Sequence, residues 1–447
     1  MREVTLMEML DARESRAMEQ QRLLRKFRTP LLCFTMNIPG PVKDSPLIRR
    51  AFAFGCDVLE HRLPKSGILY SASHCAVTGC EAMYAVNMDA LSLKKLTTAI
   101  EEETALGRLF DMDVLDAQGN KLDRALVGGG NRDCIVCGAA GRGCASRRSH
   151  SVGQLQQAVQ RILREHFARE DAKRIGAWAV QSLLDEVCTT PKPGLVDRRN
   201  CGSHKDMDIF TFLASAAALA PYFQKCAQTG METAGCAPEE TFRQLRREGL
   251  QAEQDMYRAT GGVNTHKGAI FTMGILCGAA GRLWDPESRW NAAALFREVS
   301  AMTRIPMQED LRSSSGDTTG QRLYLQRGIP GIRGEAARGL PSVEKIGLPT
   351  YYACLKQGLD HNAAGAITLL HLIAKVEDTN MLARGGAEGA AEGAAWAAEL
   401  LKEAPFPALA EIENLDSQFI RRNLSPGGCA DLLAAVYFVD KLTTQSR

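Results

Sequence analysis

The chain has 447 residues, which at about 150 residues per domain predicts two or three domains. Its 54 lysines and arginines nearly balance its 52 aspartates and glutamates, and this argues against a general nucleic-acid binder or a membrane-surface protein. Hydrophobic residues make up 45% of the chain, which is enough for ordinary cores.

The N-terminal segment and the cysteines predict a cytoplasmic protein. The first 27 residues are charged throughout and lack the apolar segment of a signal peptide. The longest uncharged stretch, 209–224, is shorter than the roughly 20 residues that span a bilayer. We expect the 14 cysteines to be reduced thiols, because disulfide frameworks belong mostly to small secreted domains.

A change of pattern between residues 149 and 175 predicts two domains, 1–168 and 169–447. In the first, residues 1–27 and 91–106 have helical spacing, and the runs LLCFTMNIPG and ALVGGGNRDCIVCG are typical of strands that end at glycine turns. This indicates an α+β domain. A polar helix over 151–173 would close it.

Two acids in the first domain, Asp111 and Asp113, are candidate metal ligands. Residues i and i+2 of a strand point to one face, so the two carboxylates could share Mg²⁺, as nucleotidyl transfer requires. Two solvated acids on an edge strand remain the alternative.

A cysteine cluster follows, with the spacing C-x2-C-x6-C-x5-H. Cys134, Cys137, Cys144 and His150 could surround zinc, but the last pair is spaced more widely than is usual. We therefore favour reduced, partly buried cysteines over a zinc site. Arg147 beside them is a candidate phosphate contact.

The second domain is predicted to be all-α, with glycine-rich functional loops at its helix ends. Apolar helices are expected over 209–223, 268–280, 366–376 and 430–442, and the alanine-rich segment near residue 390 is expected to be a surface helix.

Two of its loops carry cations that could contact phosphate, and the first also carries acids. In the stretch TTPKPGLVDRRNCGSHKDMD the prolines end the preceding helix and leave Lys192 and Arg198 near three acids. In GGVNTHKGAIF, Asn264 or Thr265 can cap the following helix, and Lys267 lies in its first turn, where the helix dipole attracts phosphate. The alternatives are a solvated turn and a capped helix with an exposed lysine.

Similar clusters recur further along the chain. SSSGDTTGQ contains Gly316, GIRGEAARG contains Arg333 and Glu335, VEDTN contains Asp378, and SPGGCAD opens the last predicted helix. Glycine and small hydroxylated residues allow a ligand to approach the backbone.

Together these residues suit a metal-bound polyphosphate nucleotide that reacts at its ribose. Such a displacement passes through an oxocarbenium-like state, which a carboxylate stabilises while a general acid protonates the leaving base. The candidates for catalysis are His204, Asp206, His266 and Glu335; those for nucleotide binding are Lys192, Arg198, Asn264, Lys267, Gly316 and Arg333; those for metal are Asp208 and Asp378.

The motifs of the second domain resemble the triphosphoribosyl-dephospho-CoA synthase family. The resemblance implies that the 2′-hydroxyl of 3′-dephospho-CoA attacks the ribose C1 of ATP and releases adenine. The motifs MNIPGPVKDSPLIRRAF, DMD and RDCIVCGAAGRGCASRRSHS resemble the holo-citrate-lyase synthase family. That resemblance implies transfer of phosphoribosyl-dephospho-CoA to a serine of the apo acyl carrier protein, the gamma subunit of citrate lyase, with release of pyrophosphate. It also implies that Asp111 and Asp113 hold the metal.

The two implied reactions are consecutive, because the product of the second domain is the substrate of the first. Fusion would raise the effective concentration of a scarce intermediate. Two alternatives remain open: the same chemistry serving malonate decarboxylase, and a zinc-stabilised, non-catalytic interaction module.

Overall fold

The computed structural model describes residues 2–139, 141, 144, 147–312 and 319–445. The chain forms two compact units, Met1–Phe167 and Ala168–Arg447. None of the described helices has both the length and the apolar character needed to cross a bilayer.

The N-terminal unit combines helices with one small sheet. Its elements in chain order are α1 (Leu6–Phe27), β1 (Leu31–Met36), α2 (Pro46–Arg62), β2 (Ile68–Ala76), β3 (Gly79–Val86), α3 (Ala90–Glu103) and β4 (Phe110–Leu115). The helix α4 (Val152–Cys188) starts here and extends into the second unit. The sheet is antiparallel with the order β2-β3-β1-β4.

Strand β1 is central and is covered on both faces. Leu31 and Cys33 pack in a cluster with Leu23 of α1, whereas Phe34 stacks on Phe52 of α2 with ring centroids 4.9 Å apart. This alternation follows from the two-residue period of a strand. Burial on both faces explains why the strand is a continuous apolar run in the sequence.

Charged side chains of neighbouring segments bond to the backbone of β4. Lys94 Nζ donates to the carbonyl of Met112 at 3.0 Å, and Glu101 Oε1 accepts from its N–H at 2.8 Å. Arg132 donates to the carbonyl of Phe110 at 2.9 Å and forms an ion pair with Glu101. Because these groups satisfy the strand edge, no further strand is needed there.

The C-terminal unit is helical throughout its described residues. After α4 come α5 (Ile209–Ala218), α6 (Ala220–Glu232), α7 (Pro238–Ala259), α8 (Lys267–Arg282), α9 (Ala292–Arg312), α10 (Thr319–Arg327), α11 (Gly331–Ala337), a π-helical turn (Val343–Gly347), α12 (Leu348–Lys356), α13 (His361–Lys375), α14 (Thr379–Glu403), α15 (Leu409–Arg421) and α16 (Gly427–Thr444).

Helices α8, α13 and α16 form the centre of the second core, and most of their side chains are buried. Small residues allow close helix packing. A Cβ at Gly230 of α6 would overlap the backbone of Gly278 in α8, and a Cβ at Gly281 would overlap the carbonyl of Ala227. These contacts hold the C-terminal end of α8 closely against α6.

Three sequence expectations need correction. The predicted strand ALVGGGNRDCIVCG contains only a short 3₁₀ turn, Arg124–Val127. The predicted helix over 209–223 is two helices, because Pro221 stands in the first turn of α6, a position that suits proline. The described cysteines are free except Cys75 and Cys80, which are opposite each other on β2 and β3 and form a disulfide.

Candidate active sites

The loop between α4 and α5 is an ordered, buried segment, not a solvated turn. Residues 189–197 are all buried. Asp197 accepts hydrogen bonds from the backbone N–H groups of Lys192 at 3.1 Å and Arg199 at 2.7 Å. Asp416 of α15 accepts from the N–H of Gly194 at 2.8 Å. The acids in and around this loop fix its shape and thereby fix the position of Lys192.

A cavity of about 670 Å³ lies beside this loop. Four of the described helices begin at it. Their first residues are among its lining residues: Lys267 of α8, Gly331 of α11, Thr379 of α14 and Gly427 of α16. Helix N-termini offer free N–H groups and positive dipole ends. The titratable lining residues with acidic or basic side chains are Glu186, Lys192, His204, Glu253, His266, Lys267, Arg322, Arg333, Arg384 and Asp431.

The two lysines of the cavity are each paired with a glutamate. Lys192 is 1% exposed, and its ammonium forms an ion pair with Glu186 on the last turn of α4. Lys267 lies 2.8 Å from Glu253 of α7, and Asn264 caps its backbone N–H at 3.3 Å. Burial of an unpaired lysine would be costly, so the ion pair with Glu186 offsets the cost of placing Lys192 in the wall.

Arg333 of α11 also lines the cavity, half-buried and without an ion-pair partner among the described residues. A guanidinium with free donors matches the geometry of a phosphate. This residue brings an uncompensated positive charge to the cavity.

Asp431 on the first turns of α16 is the acid of the cavity that has no hydrogen-bond donor among the described residues. It faces the start of α8, where a Cβ at Gly268 would overlap its carboxylate. Burial, together with the charges of Glu186 and Asp378, raises the pKa of Asp431 well above its usual range. A carboxylate with a raised pKa in a polar cavity is suited to accepting a proton near neutral pH.

The two histidines of the cavity are in different environments. His204 Nε2 lies 2.8 Å from Ser425 Oγ, and burial and the charge of Arg384 lower its pKa. His266 is 3% exposed, with Nδ1 2.7 Å from Ser215 Oγ, and its Nε2 has no hydrogen-bond partner among the residues that the structure describes. Burial, with Lys192 nearby, lowers the pKa of His266 to about 3, so its imidazole is neutral at pH 7. That state disfavours the predicted role of a cationic proton donor.

Two other predicted residues do not line this cavity. Asp206 is 65% exposed at its side chain and lies 3.9 Å from His204 Nδ1. Arg198 is held in the loop by Thr190 Oγ1 at 3.2 Å and by Asn362 Oδ1 at 2.9 Å. Their expected contacts with substrate are therefore not supported by their positions.

The two predicted metal ligands of this unit are helix caps. Asp208 is exposed, and its Oδ1 accepts from the N–H of Thr211 at 2.9 Å. Asp378 Oδ1 accepts from the N–H groups of Asn380 and Met381, and its Oδ2 accepts from Cys429 N–H at 2.8 Å. Asp378 thus joins the starts of α14 and α16, and its oxygens are occupied.

The other predicted catalytic acid, Glu335, is 7% exposed and accepts from the N–H of Ser342 at 2.6 Å. It holds the turn after α11 and does not line the cavity. Gly316 lies outside the described residues.

Sequence reasoning passed over Glu186 and Asp431 as site residues. Both lie inside motifs that were recognised, one before the TTPKPG loop and one after the Gly427-Gly428 pair. The available signal was position: Glu186 is on the last turn of a helix and Asp431 one turn into another, and both helix ends meet at the loop clusters.

A second cavity of about 350 Å³ shares Glu253, Phe271 and Arg333 with the first. Its wall contains Phe242, Leu245, Leu250, Ile270, Ile275 and Met307 together with the ion pair of Arg246 and Asp310. The unit therefore offers two adjoining cavities of mixed polarity.

In the N-terminal unit, Asp111 and Asp113 share one face of β4, opposite Thr35 and Cys33 of β1. Asp113 lies 2.6 Å from Lys121 Nζ. Burial and the charge of Asp113 raise the pKa of Asp111. Two neighbouring carboxylates on one face of a strand are suited to a divalent cation.

A cavity of about 1160 Å³ lies in the same unit. Its lining contains the cysteine cluster residues Cys134, Cys144 and His150. Its arginines are Arg108, Arg124, Arg132 and Arg148, but the predicted phosphate contact Arg147 is an exposed neighbour and not a lining residue.

The cysteine cluster is more ordered than the sequence suggested. The sulfur atoms of Cys134, Cys137 and Cys144 and one ring nitrogen of His150 all lie within 4.8 Å of one another. The four side chains converge, and Cys134, Cys137 and Cys144 are free cysteines.

Comparisons with known proteins agree with this division into two sites. Residues 172–447 match the family of ATP:dephospho-CoA triphosphoribosyl transferases, and residues 4–166 match that of apo-citrate lyase phosphoribosyl-dephospho-CoA transferases. The chain belongs to these two families, fused in one polypeptide. It is a transferase, and the predicted bifunctional maturation of the citrate lyase prosthetic group is confirmed.

Individual relatives have the same arrangement. A CitXG protein of Haemophilus influenzae is 35% identical over 97% of this chain and 96% of its own length. One of Leuconostoc mesenteroides is 32% identical over 98% and 97%. A 2-(5″-triphosphoribosyl)-3′-dephosphocoenzyme-A synthase of Klebsiella pneumoniae is 40% identical, covering 60% of this chain and 90% of its own. Malonate decarboxylase maturation and a non-catalytic module are not favoured.

Proposed function

We propose that the charged cavity of the C-terminal unit binds ATP and is the site of ribosyl transfer. Its volume is within the range of nucleotide-sized ligand sites, about 300–1000 Å³. Arg333, Lys267 and the starts of α8 and α16 provide positive charge and N–H donors for a triphosphate. The observation that carries this assignment is that Lys192, Lys267, Arg333 and Asp431 line one cavity.

Asp431 is our candidate general base. The 2′-hydroxyl of dephospho-CoA gives its proton to the carboxylate, its oxygen bonds to the ribose C1 of ATP, and the bond from C1 to adenine breaks. His204, held by Ser425, is the candidate that returns a proton to the departing adenine. The raised pKa of Asp431 makes it a stronger base than an ordinary aspartate.

Glu186 and Glu253 are the acids that would hold Mg²⁺ with the nucleotide. Each now pairs with a lysine of the same cavity, so a triphosphate that attracts the lysine would free the carboxylate. The ion, when bound, would neutralise phosphate charge. The lysines and Arg333 would hold the rest of the triphosphate.

The adjoining smaller cavity, with its group of apolar side chains, is our candidate for the pantetheine arm of dephospho-CoA. The two cavities share Phe271 and Arg333, so two substrates could meet at that wall. An apolar wall excludes water from an extended, weakly polar chain.

For the N-terminal unit we propose nucleotidyltransferase-like chemistry at β4. Asp111 and Asp113 would hold Mg²⁺, which would neutralise charge on the diphosphate, while Arg108, Arg132 and Arg148 contact phosphate. A serine of the apo acyl carrier protein, the gamma subunit of citrate lyase, attacks the phosphorus next to the ribose, and pyrophosphate leaves.

Free adenine, measured by chromatography after mixing the full chain with ATP, Mg²⁺ and dephospho-CoA, tests the first assignment. Lys267→Ala removes a charge-assisted phosphate contact, and we expect kcat/KM for ATP to fall by roughly tenfold to a hundredfold. Asp431→Asn removes the base, and we expect kcat to fall by about 10²–10⁴-fold.

Asp206→Asn is the matched control, since this exposed acid lies outside the cavity lining. We expect it to keep nearly normal adenine release. Normal release by Asp431→Asn, with loss in Asp206→Asn, would reverse our assignment of the two acids.

A further inference from the structure

The four side chains of the cysteine cluster come from one loop between β4 and α4. Cys137 Sγ lies 3.5 Å from Cys144 Sγ and 3.3 Å from His150 Nε2. Ligands at about 2.3 Å from a tetrahedral zinc lie roughly 3.8 Å apart along each edge. The observed separations are close to that edge, and no ordinary packing of hydrophobic side chains requires such convergence.

The backbone around the first pair is shaped to present two thiols together. Cys134 N–H donates to the carbonyl of Ala139 at 2.7 Å, and Gly138 N–H donates to the carbonyl of Cys134 at 2.9 Å. Gly138 has φ +72°, a conformation that glycine adopts without strain. The tight turn therefore places Cys134 and Cys137 on the same side.

The second pair is held by a further turn. Ser149 N–H donates to the carbonyl of Cys144 at 3.0 Å, which brings the chain back so that His150 reaches Cys137. Gly141 N–H donates to the carbonyl of Arg132 at 3.0 Å, and this bond ties the two sides of the loop together.

We infer that Cys134, Cys137, Cys144 and His150 bind one Zn²⁺ ion as a structural site. Three thiolates and one imidazole complete a tetrahedral shell, and a closed shell of four protein ligands is characteristic of structural rather than catalytic zinc. Binding would release the three thiol protons to solvent, and His150 would bind as the neutral ring.

The site would stabilise one wall of the N-terminal cavity. Cys134, Cys144 and His150 line that cavity together with Arg148. Arg132, joined to this loop by Gly141, also bonds to β4 next to Asp111. Zinc would thus position the loop beside the carboxylates without taking part in the reaction.

Metal analysis of the purified full-length chain tests this inference. We expect about one zinc per chain, since one set of four ligands is present. Cys137→Ser should lose most of the zinc, whereas Cys236→Ser, at an exposed cysteine of the C-terminal unit, should retain it. Adenine release by both variants would show that the rest of the chain is folded.

Replacement of zinc by Co²⁺ in the wild-type chain gives a second measurement that needs no variant. We expect the absorption of a tetrahedral cobalt site with thiolate charge-transfer bands, and displacement of these bands by zinc. The inference would be overturned by any of three results. These are a purified chain without bound metal, a disulfide between Cys137 and Cys144 instead of a metal site, and a Cys137→Ser variant that keeps all of its zinc.

Discussion

At the scale of single residues, the C-terminal site depends on charges that are costly to bury. Lys192 is compensated by Glu186, whereas Asp431 has no hydrogen-bond donor among the described residues. Functional groups of this kind are commonly kept at some cost in stability. Two predictions follow at this scale.

The first concerns the stability of Asp431→Asn. The folded pKa of Asp431 is raised, so its ionisation destabilises the fold as pH rises from the ordinary carboxyl range through that pKa. An asparagine avoids this cost, so we expect a higher Tm at pH 7, by about 2–4 °C for each kcal/mol relieved. Calorimetry in the absence of ligands measures the Tm of the wild-type chain and of the variant. A lower Tm for Asp431→Asn would show that the carboxylate stabilises the fold.

The second concerns His266 at acid pH. Its folded pKa is about 3, against an ordinary value of 6.5. As pH falls from 6.5 towards 3, the unfolded chain takes up a proton that the folded chain does not, so stability is lost across this window. We expect His266→Asn to make denaturant stability less sensitive to acid in that range. An unchanged pH dependence would contradict this.

At the scale of elements, the closeness of α8 to α16 sets the geometry of the site. Gly268 in the first turn of α8 leaves room for the Asp431 carboxylate. The Gly427-Gly428 pair likewise lets α16 start beside Asn380 and Asp378. Glycine at these positions serves the close approach of two helix starts.

Gly268→Ala therefore should displace Asp431 while the helix remains intact. We expect adenine release to fall by at least about tenfold with little loss of helix content, because alanine favours helix by up to ~1 kcal/mol over glycine. The matched control is Gly153→Ala near the start of α4, where a Cβ would lie 3.9 Å from Ser151 Oγ, an ordinary contact. Equal activities of the two variants would show that this spacing is unimportant.

At the scale of the whole molecule, the chain has two compact units, each with its own charged cavity. If the assignments are right, the two reactions can be inactivated separately. Asp111→Asn should block loading of the carrier, measured as its mass gain, while adenine release continues. Asp431→Asn should block both, because no intermediate is made.

A mixture of these two variants should restore carrier loading, since one supplies the intermediate and the other uses it. Each variant assayed alone is the control. A further control supplies the Asp431→Asn chain with intermediate made separately. If that chain then loads the carrier but the mixture does not, the intermediate is not released to solution.

The sequence by itself determined the family, the division of the chain into an α+β half and a helical half, and most of the long helices. These features depend on local periodicity and on long motifs such as GVNTHKGAIF, which are read directly from residue order. It also indicated Lys192, Lys267 and Arg333, because cations beside glycine turns at helix starts suit phosphate.

Only the tertiary structure decided which acids face the cavity. Asp208 and Asp378 have the residue type of metal ligands, yet their oxygens cap helix starts, while Glu186 and Asp431 come together from helices far apart in sequence. The structure likewise decided that Cys134, Cys137, Cys144 and His150 converge, because two turns of the chain bring them together. The type of a residue determines the chemistry that its side chain can perform. Packing between distant parts of the chain determines which groups surround that side chain.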